Sequence, residues 1–416
     1  MKRIISIIMI LSVLGLLCGC AAVEKISDVE LPPVPTAVPV DDPSTDVTAL
    51  DERVSETKHK HVIINSERSE FQAFDPQQGT ELILSFSYVT PYVHIPGNAA
   101  AEENINEYIA MLNESFYTGD NYGVVYDSGC APGYINMLTL AEDNYNYIIN
   151  SAVNFETEVS PLGCHRTVYV DLIDDSVISL TFHDIIKMGN GQEYVGFKSY
   201  NFDCQSGELM TLDSLSDDSD AMKAFVVSYI QEQQGKQFDI ELMEGNWYFS
   251  HRGLHIVTES EVPDNHPDVN GTWEYVVPYY ALEGYVKPEY IREEINDTAS
   301  FGVVSDEAQS GGGKEIIDML KVSEDGQAVY FVADGRANDV RISRVDYLDG
   351  FYDTERLWYC SVMEDCALQI VTDIPEGMPE LKLSYRDAAG EHELYLSQSG
   401  VDGSFIFVDG SIEAVG

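Results

Sequence analysis

Three side chains of this chain have the residue types of a hydrolytic metal centre: Asp184, His251 and His255. The two histidines lie four residues apart, a spacing at which two imidazoles can bind one ion. Asp184 follows a Thr-Phe-His sequence and supplies a carboxylate that could be the third ligand. A metal ion held in this way activates a bound water molecule, so the corresponding chemistry would be hydrolysis.

The neighbouring residues depart from the pattern of the metal-dependent polysaccharide deacetylases, which this set resembles. In those enzymes a Thr-Phe-Asp-Asp sequence provides a base and then a metal ligand. Here His183 stands in place of the base, and Arg252 stands where a hydroxyl residue is expected. Gly253 favours a turn, so the two histidines are not required to share a face. We therefore expect polar residues at strand ends, with no catalytic residue, no metal ion and no cofactor.

Cys20 carries a second kind of chemistry, covalent attachment of lipid. It ends Leu17-Cys18-Gly19-Cys20, which has the pattern of a lipobox, after an apolar run of about 14 residues, Ile4–Leu17. A membrane-spanning helix needs about 20 apolar residues, so this run is typical of a signal peptide. The sequence predicts a lipoprotein signal at 1–19, a lipidated Cys20, and a cell-membrane anchor on the extracytoplasmic face. An ordinary secretory signal with a coincidental cysteine is the alternative.

The charge of the chain restricts its partners. The sequence has 23 basic and 71 acidic residues and a formal charge of -48. Removal of the signal takes away Lys2 and Arg3 and no acid, which leaves a charge near -50. Such a charge excludes nucleic acid, whose binding needs a basic face, and favours cationic partners. Solubility outside the cell is a simpler explanation of the same charge.

Five cysteines follow the signal, so at least one is unpaired. Their spacing fits no zinc pattern, because there is no Cys-x-x-Cys sequence and no neighbouring histidine pair. Cys360 and Cys366 are close enough in sequence for a hairpin disulfide. Burial as small apolar residues is the expected role of the other three, Cys130, Cys164 and Cys204.

The periodicity of apolar residues predicts an α+β protein with mostly antiparallel sheets and packed helices. One helix face is expected to contain Ile105, Tyr108, Ile109, Leu112 and Phe116. Asp174-Asp175 separates two apolar strand sequences and predicts a hairpin. After a Gly-rich stretch, short strands separated by turns predict a small all-β, sandwich-like C-terminal domain.

These patterns divide the chain into segments. They are a signal peptide at 1–19, an acidic Pro-rich tether at 20–60, α+β segments at 80–160 and 161–293, a linker at 294–314, and a β-rich domain at 315–416.

Several short sequences in the middle of the chain are similar to one extracellular family. The break Pro96-Gly97 before a helix with Ile105-Asn106 resembles the opening of its first domain. The sequences Asn201-Phe202-Asp203, Ser206-Gly207-Glu208 and Leu212-Asp213-Ser214-Leu215 resemble its second domain. The family is the RsiV-like one, a domain of unknown function 3298 preceded by a segment like domain of unknown function 4163. It also occurs beside the catalytic module of the peptidoglycan deacetylase PdaC.

The resemblance implies a non-catalytic binding or sensing module on the cell surface. Its implied partner is a cationic protein of the lysozyme type or a cell-wall component such as peptidoglycan. The 25 tyrosines could also stack on sugar rings, although strand positions account for most of them. A wall-modifying hydrolase that uses Asp184, His251 and His255 is one alternative, and a structural envelope spacer is another. Gly189-Asn190-Gly191 replaces the usual Gly-Ala-His turn of the family.

Overall fold

The computed structural model describes most of the chain after residue 59. The described residues are 60–75, 79–118, 137–151, 160–189, 191, 193–235, 240–259, 272–292, 294–305, 314–324, 326–347, 351–373, 379–399 and 404–409. They fall in one compact unit, 56–416. No helix in these ranges is both long and apolar enough to cross a membrane. Cys20 and the signal and tether segments lie outside the described residues.

Sixteen strands and four α-helices are assigned within these ranges. The strands are β1 Ile63–Phe74, β2 Leu82–His94, β3 Leu162–Ile173, β4 Val177–Lys187, β5 Glu193–Asp203, β6 Trp247–Ser250, β7 Gly253–Glu259, β8 Thr272–Pro278, β9 Ala299–Val304, β10 Glu315–Lys321, β11 Gln327–Tyr347, β12 Phe351–Glu364, β13 Cys366–Thr372, β14 Leu381–Asp387, β15 Gly390–Gln398 and β16 Phe405–Asp409. The helices are α1 Ala99–Thr118, α2 Met137–Ser151, α3 Ser219–Gln234 and α4 Tyr279–Leu282, with 3-10 turns at Leu212–Leu215 and Pro288–Tyr290.

The largest sheet joins the two ends of the described chain. Its path runs β16-β15-β14-β11-β12-β1-β2-β3-β4-β5. β1 pairs with β12, with Ile63 opposite Cys360, so the first and the C-terminal strands share hydrogen bonds. The pair β2 and β3 is parallel, and so is the pair β10 and β13, whereas the other pairs of named strands are antiparallel. The α+β prediction with mostly antiparallel sheets is confirmed.

Helix α1 forms where the apolar periodicity predicts it. The Asn98 side chain accepts a hydrogen bond from the Ala101 N–H, which satisfies one of the free donors of the first turn. The helix buries the predicted face, including Ile105, Ile109 and Phe116. This face packs on strands β2 to β5 and removes apolar surface from water, which is the main stabilising term for such a helix.

A second sheet, β6-β7-β8, covers the opposite, polar face of β4 and β5. The Asn201 side chain donates a hydrogen bond to the Trp247 carbonyl at 2.9 Å. The Phe249 N–H donates to the Ser179 hydroxyl at 3.2 Å. On its other side this sheet, with α3 and α4, encloses a core that contains Trp247 and Phe249. The polar strand residues therefore fix where the second sheet lies.

The C-terminal region is all-β, as predicted. Strand β11 is 21 residues long and pairs with four strands, β9, β12, β13 and β14. The core between these strands contains Trp358, whose indole N–H donates to Asp318 at 2.7 Å. Residues 299–304, which the sequence assigns to a linker, form β9 against β11.

The hairpin disulfide between Cys360 and Cys366 is not formed in the structure. Both residues are buried thiols in the C-terminal core. The Cys360 thiol donates to the Val362 carbonyl at 3.2 Å, so its sulfur is directed along its own strand. Burial raises the pKa of the Cys366 thiol to about 12. Both side chains pack as small apolar residues, the role that the sequence predicts for the other cysteines.

Candidate functional site

Asp184 is held in a buried ion pair. Arg166 lies directly opposite it on the neighbouring strand. The guanidinium donates two parallel hydrogen bonds to the carboxylate, Nε to Oδ1 at 2.7 Å and Nη2 to Oδ2 at 2.8 Å. Arg166 also donates to the Leu112 carbonyl at 2.6 Å and packs on the Phe116 ring. Asp184 therefore anchors α1 to the sheet through Arg166.

His255 is the centre of a different hydrogen-bonded network. Its Nε2 atom lies 2.6 Å from the Ser250 hydroxyl, and its Nδ1 atom contacts the Glu274 carboxylate. The Tyr248 hydroxyl donates to the same carboxylate, and its ring stacks on the imidazole with centroids 4.4 Å apart. Hydrogen bonding to His255 is the main cause that lowers the pKa of Glu274. Serine, imidazole and carboxylate thus follow one another in the order used by acyl-transfer enzymes.

The exposed fractions of Ser250 and Glu274 are the reverse of those that acyl transfer requires. Ser250 is only 7% exposed, whereas the Glu274 side chain is 45% exposed. In acyl-transfer enzymes the serine must be accessible to substrate, and the carboxylate that orients the histidine is normally buried. Here the serine is buried and the carboxylate is exposed. The Ser250 hydroxyl also accepts from the Arg252 N–H at 2.9 Å. The arrangement therefore stabilises the turn between β6 and β7.

The hairpin geometry explains why His251 does not join His255. His251 lies in the turn, and Gly253 follows with φ +143°. A Cβ atom at Gly253 would lie 2.1 Å from the Val277 carbonyl oxygen, so the tight turn requires glycine. Asp184, His251 and His255 are not assembled into one centre. Within the described ranges, no group of three potential ligands could hold a metal ion.

We expect metal removal to leave the stability of the protein unchanged. The Asp184 carboxylate is paired with Arg166, and both ring nitrogens of His255 have hydrogen-bond partners in the protein. Differential scanning calorimetry with and without EDTA measures the effect. A fall in Tm of more than about 4 °C on chelation would contradict the account and would restore the metal centre as an explanation.

A cluster of four aromatic rings, here called the aromatic face, lies at the outer surface of α3. It consists of Phe225 and Tyr229 on α3, Tyr280 on α4, and Tyr285 in the turn that follows. Phe225 and Tyr285 are stacked with centroids 3.9 Å apart and planes at 10°. Tyr280 is 74% exposed and Tyr285 is 39% exposed. Large exposed aromatic surface of this kind is typical of a binding site.

Contacts beneath the rings fix the aromatic face in place. Met222, Val226 and Ile230 of α3 are buried in the core under it. The Asp218 carboxylate begins the helix by accepting from the Ala221 N–H at 3.1 Å. A hydrogen bond to Tyr280 is the main cause that raises the pKa of Tyr229, so these two hydroxyl groups are joined. The rings are consequently preorganised, which reduces the entropy lost on binding.

Acidic residues dominate the two segments that carry the aromatic face. Residues 211–235 and 279–291 contain seven acidic and two basic side chains. The acids are Asp213, Asp217, Asp218, Asp220, Glu232, Glu283 and Glu289, all of them exposed. Both lysines are engaged: Lys223 with Asp213 at 2.5 Å, and Lys287 with the Ser214 carbonyl at 2.8 Å. The surface therefore combines an aromatic centre with a negative surround.

The sequence contained only part of the signal for this surface. The apolar spacing of Met222, Phe225, Val226, Tyr229 and Ile230 predicts a helix but does not separate its buried residues from its exposed ones. Phe225 and Tyr229 lie four residues apart, so they share one side of the helix. That side is next to the buried row Met222, Val226 and Ile230. Tyr280 and Tyr285 are brought beside Phe225 and Tyr229 by the course of the chain after β8. No local sequence pattern predicts that course.

No family model matches the chain, and no curated protein matches it. Among solved structures, a member of the DUF3298 family from Bacteroides fragilis matches with a TM-score of 0.38 and 13% sequence identity, over 56% of this chain and 96% of that chain. A DUF3298 family protein from Pseudomonas aeruginosa matches with a TM-score of 0.35 and 12% identity, over 54% of this chain and 95% of that chain. With likeness this low, the two structures add no argument about function.

Proposed function

We propose that this chain is a binding module that is held by lipid on the extracytoplasmic face of the cell membrane. Its partner is a cationic protein of the lysozyme type, and it acts by binding or sensing that protein and not by catalysis. The observation that carries the proposal is the aromatic face within its acidic surround. The few residues that dominate the affinity of a protein interface are enriched in Trp, Tyr and Arg, and complementary charge raises the rate of association.

Two further observations support this proposal. The chain carries a formal charge of -48, so encounter with a basic protein is electrostatically steered. The middle of the sequence also resembles the RsiV-like extracellular family. By contrast, the residues considered for hydrolysis are engaged elsewhere, Asp184 with Arg166 and His255 with Glu274.

A pull-down tests this function against its alternatives. The purified protein, residues 21–416, is incubated with immobilised lysozyme and, separately, with insoluble peptidoglycan. Retention on lysozyme at physiological salt supports the proposal. Retention on peptidoglycan alone would contradict it in favour of a wall-binding module, and retention on neither would favour an envelope spacer.

The lipid anchor is a separate part of the proposal, and lipid incorporation at Cys20 should be either complete or absent. Cys20→Ala removes the thiol that accepts the lipid, so we expect no incorporation of a palmitate analogue during metabolic labelling. Cys18→Ala is the matched control, because it changes a neighbouring cysteine that the lipobox does not use as acceptor. Label retained in the Cys20→Ala protein would contradict lipidation at this residue.

A further inference from the structure

Three arginines of the large sheet, Arg341, Arg356 and Arg386 of β14, form no ion pair with a described acid, and the first two lie close to one buried tyrosine. Arg341 on β11 and Arg356 on β12 are both partly buried. The described ion pairs of arginine involve Arg68, Arg166, Arg292, Arg336 and Arg344 only. Arg356 instead lies over the Tyr169 ring at 4.4 Å, and Arg341 over the Tyr359 ring at 5.9 Å. In a chain with 71 acidic residues, two partly buried guanidinium groups that form no ion pair with a described acid need an explanation.

A buried hydroxyl close to these arginines also lacks a partner. Tyr359 is 1% exposed and lies directly opposite Arg341 in the β11–β12 pair. Its hydroxyl has no hydrogen-bond partner within the described part of the chain. Burial raises the pKa of Tyr359, and the charges of Arg356 and Arg341 oppose that rise. A buried polar group left without a partner is destabilising, so this O–H is a donor in need of an acceptor.

Two acids, Asp353 and Asp171, act on the Tyr359 hydroxyl together with the arginines. The Asp353 carboxylate pairs with Lys382 at 2.7 Å. Asp171 forms no ion pair with either arginine. Its Oδ2 atom accepts from the Thr181 hydroxyl at 2.6 Å, which directs the carboxyl towards β4. Burial raises the pKa of Asp171 to about 7 even though Arg341 and Arg356 both act to lower it. The carboxyl is therefore only partly ionised at neutral pH. Among the described residues, neither guanidinium group is therefore within ion-pair distance of a carboxylate.

We propose that Arg341, Arg356 and the Tyr359 hydroxyl form a binding site for a small oxyanion, a carboxylate or a phosphate group. The guanidinium groups supply planar arrays of N–H donors, which match the oxygens of either anion. The Tyr359 O–H supplies a further donor and becomes satisfied by the bound oxygen. Strands β11 and β12 hold these groups in register, and Tyr169 of β3 supports Arg356 from below. The site is separate from the aromatic face and does not depend on it.

Isothermal titration calorimetry of the full protein with inorganic phosphate, and separately with acetate, tests this site. Chloride replaces each anion at equal ionic strength to give the reference. We expect saturable binding of phosphate, of acetate or of both. The anion that binds with the higher affinity identifies the chemical group that the natural ligand carries. Arg356→Gln and Arg341→Gln should each weaken binding about tenfold or more, because each removes a charged donor.

Two further variants keep the test decisive. Tyr359→Phe retains the buried ring, so we expect a folded protein with a Tm that is not lowered and with clearly weaker anion binding. Arg336→Gln is the matched control, since Arg336 lies on the same strand but pairs with Glu364 at 3.6 Å; its anion affinity should be unchanged. The proposal is overturned if neither anion binds more tightly than chloride, or if Tyr359→Phe and both glutamine variants bind as well as the wild type.

Discussion

Replacing Arg166 by leucine is expected to lower the free energy of unfolding by about 3–5 kcal/mol. The substitution leaves the Asp184 carboxylate buried without its two guanidinium hydrogen bonds, and removal of one partner of a buried pair carries the full penalty of the remaining charge. The Leu112 carbonyl within α1 also loses a donor. Urea denaturation followed by circular dichroism measures the change.

The matched control for this variant is Arg68→Leu. Arg68 pairs with Glu70 at 2.9 Å, but both side chains are largely exposed, so we expect a change below about 1 kcal/mol. The double variant Arg166→Leu/Asp184→Leu should recover much of the lost stability, because no unpaired charge remains. If Arg166→Leu destabilised the protein no more than Arg68→Leu, the structural role of Asp184 would be wrong.

Replacing Tyr280 by alanine is expected to weaken binding of a cationic lysozyme by about tenfold to thirtyfold. Such a loss corresponds to about 1.4–2 kcal/mol, the range of an interface residue that dominates affinity. The side chain is 74% exposed, so its removal should change stability by less than about 0.5 kcal/mol. Surface plasmon resonance at physiological salt measures the dissociation constant, and the effect should appear mainly in the dissociation rate.

Tyr92→Ala is the control for an exposed tyrosine. Tyr92 is 48% exposed on β2, outside the aromatic face, so its removal should leave lysozyme binding unchanged. Glu283→Gln probes the acidic surround and should slow association without a comparable change in dissociation. Equal losses of affinity for Tyr280→Ala and Tyr92→Ala would show that the aromatic face is not the binding surface.

Local patterns in the sequence were enough to predict the elements around Asp184. The apolar spacing of Ile105, Ile109 and Phe116 predicts α1, and the Asp174-Asp175 turn predicts the hairpin of β3 and β4. The turn alone would place Arg166 opposite Ile185, and an irregularity between Val170 and Leu172 shifts the register by one residue to Asp184. The ion pair could therefore not be predicted from the hairpin sequence. The fold class followed from such local patterns because neighbouring strands in the chain pair with each other.

Pairings between distant parts of the chain could not be predicted in this way. β1 was missed because most of its residues after Asn65 are polar and exposed. Ile63 pairs with Cys360 across nearly the whole described chain, and no local periodicity encodes that contact. The aromatic face has the same origin, since β6, β7 and β8 lie between Phe225 and Tyr285 in the chain. Long-range packing decides such contacts, and it depends on the complete core.

The central claim is specific recognition of a cationic protein by the aromatic face, beyond attraction by charge. The most direct test is a surface plasmon resonance titration of residues 21–416 over lysozyme at low salt and at 0.15 M salt. An inactive lysozyme and an unrelated basic protein of similar charge are measured in parallel. Exposed charges are screened within about 8 Å at 0.15 M, so purely electrostatic attraction should vanish there. We predict that binding to lysozyme weakens but persists at 0.15 M salt. The inactive lysozyme should bind equally well, and the unrelated basic protein should not. Loss of all binding at 0.15 M, or equal binding of the unrelated basic protein, would contradict the claim.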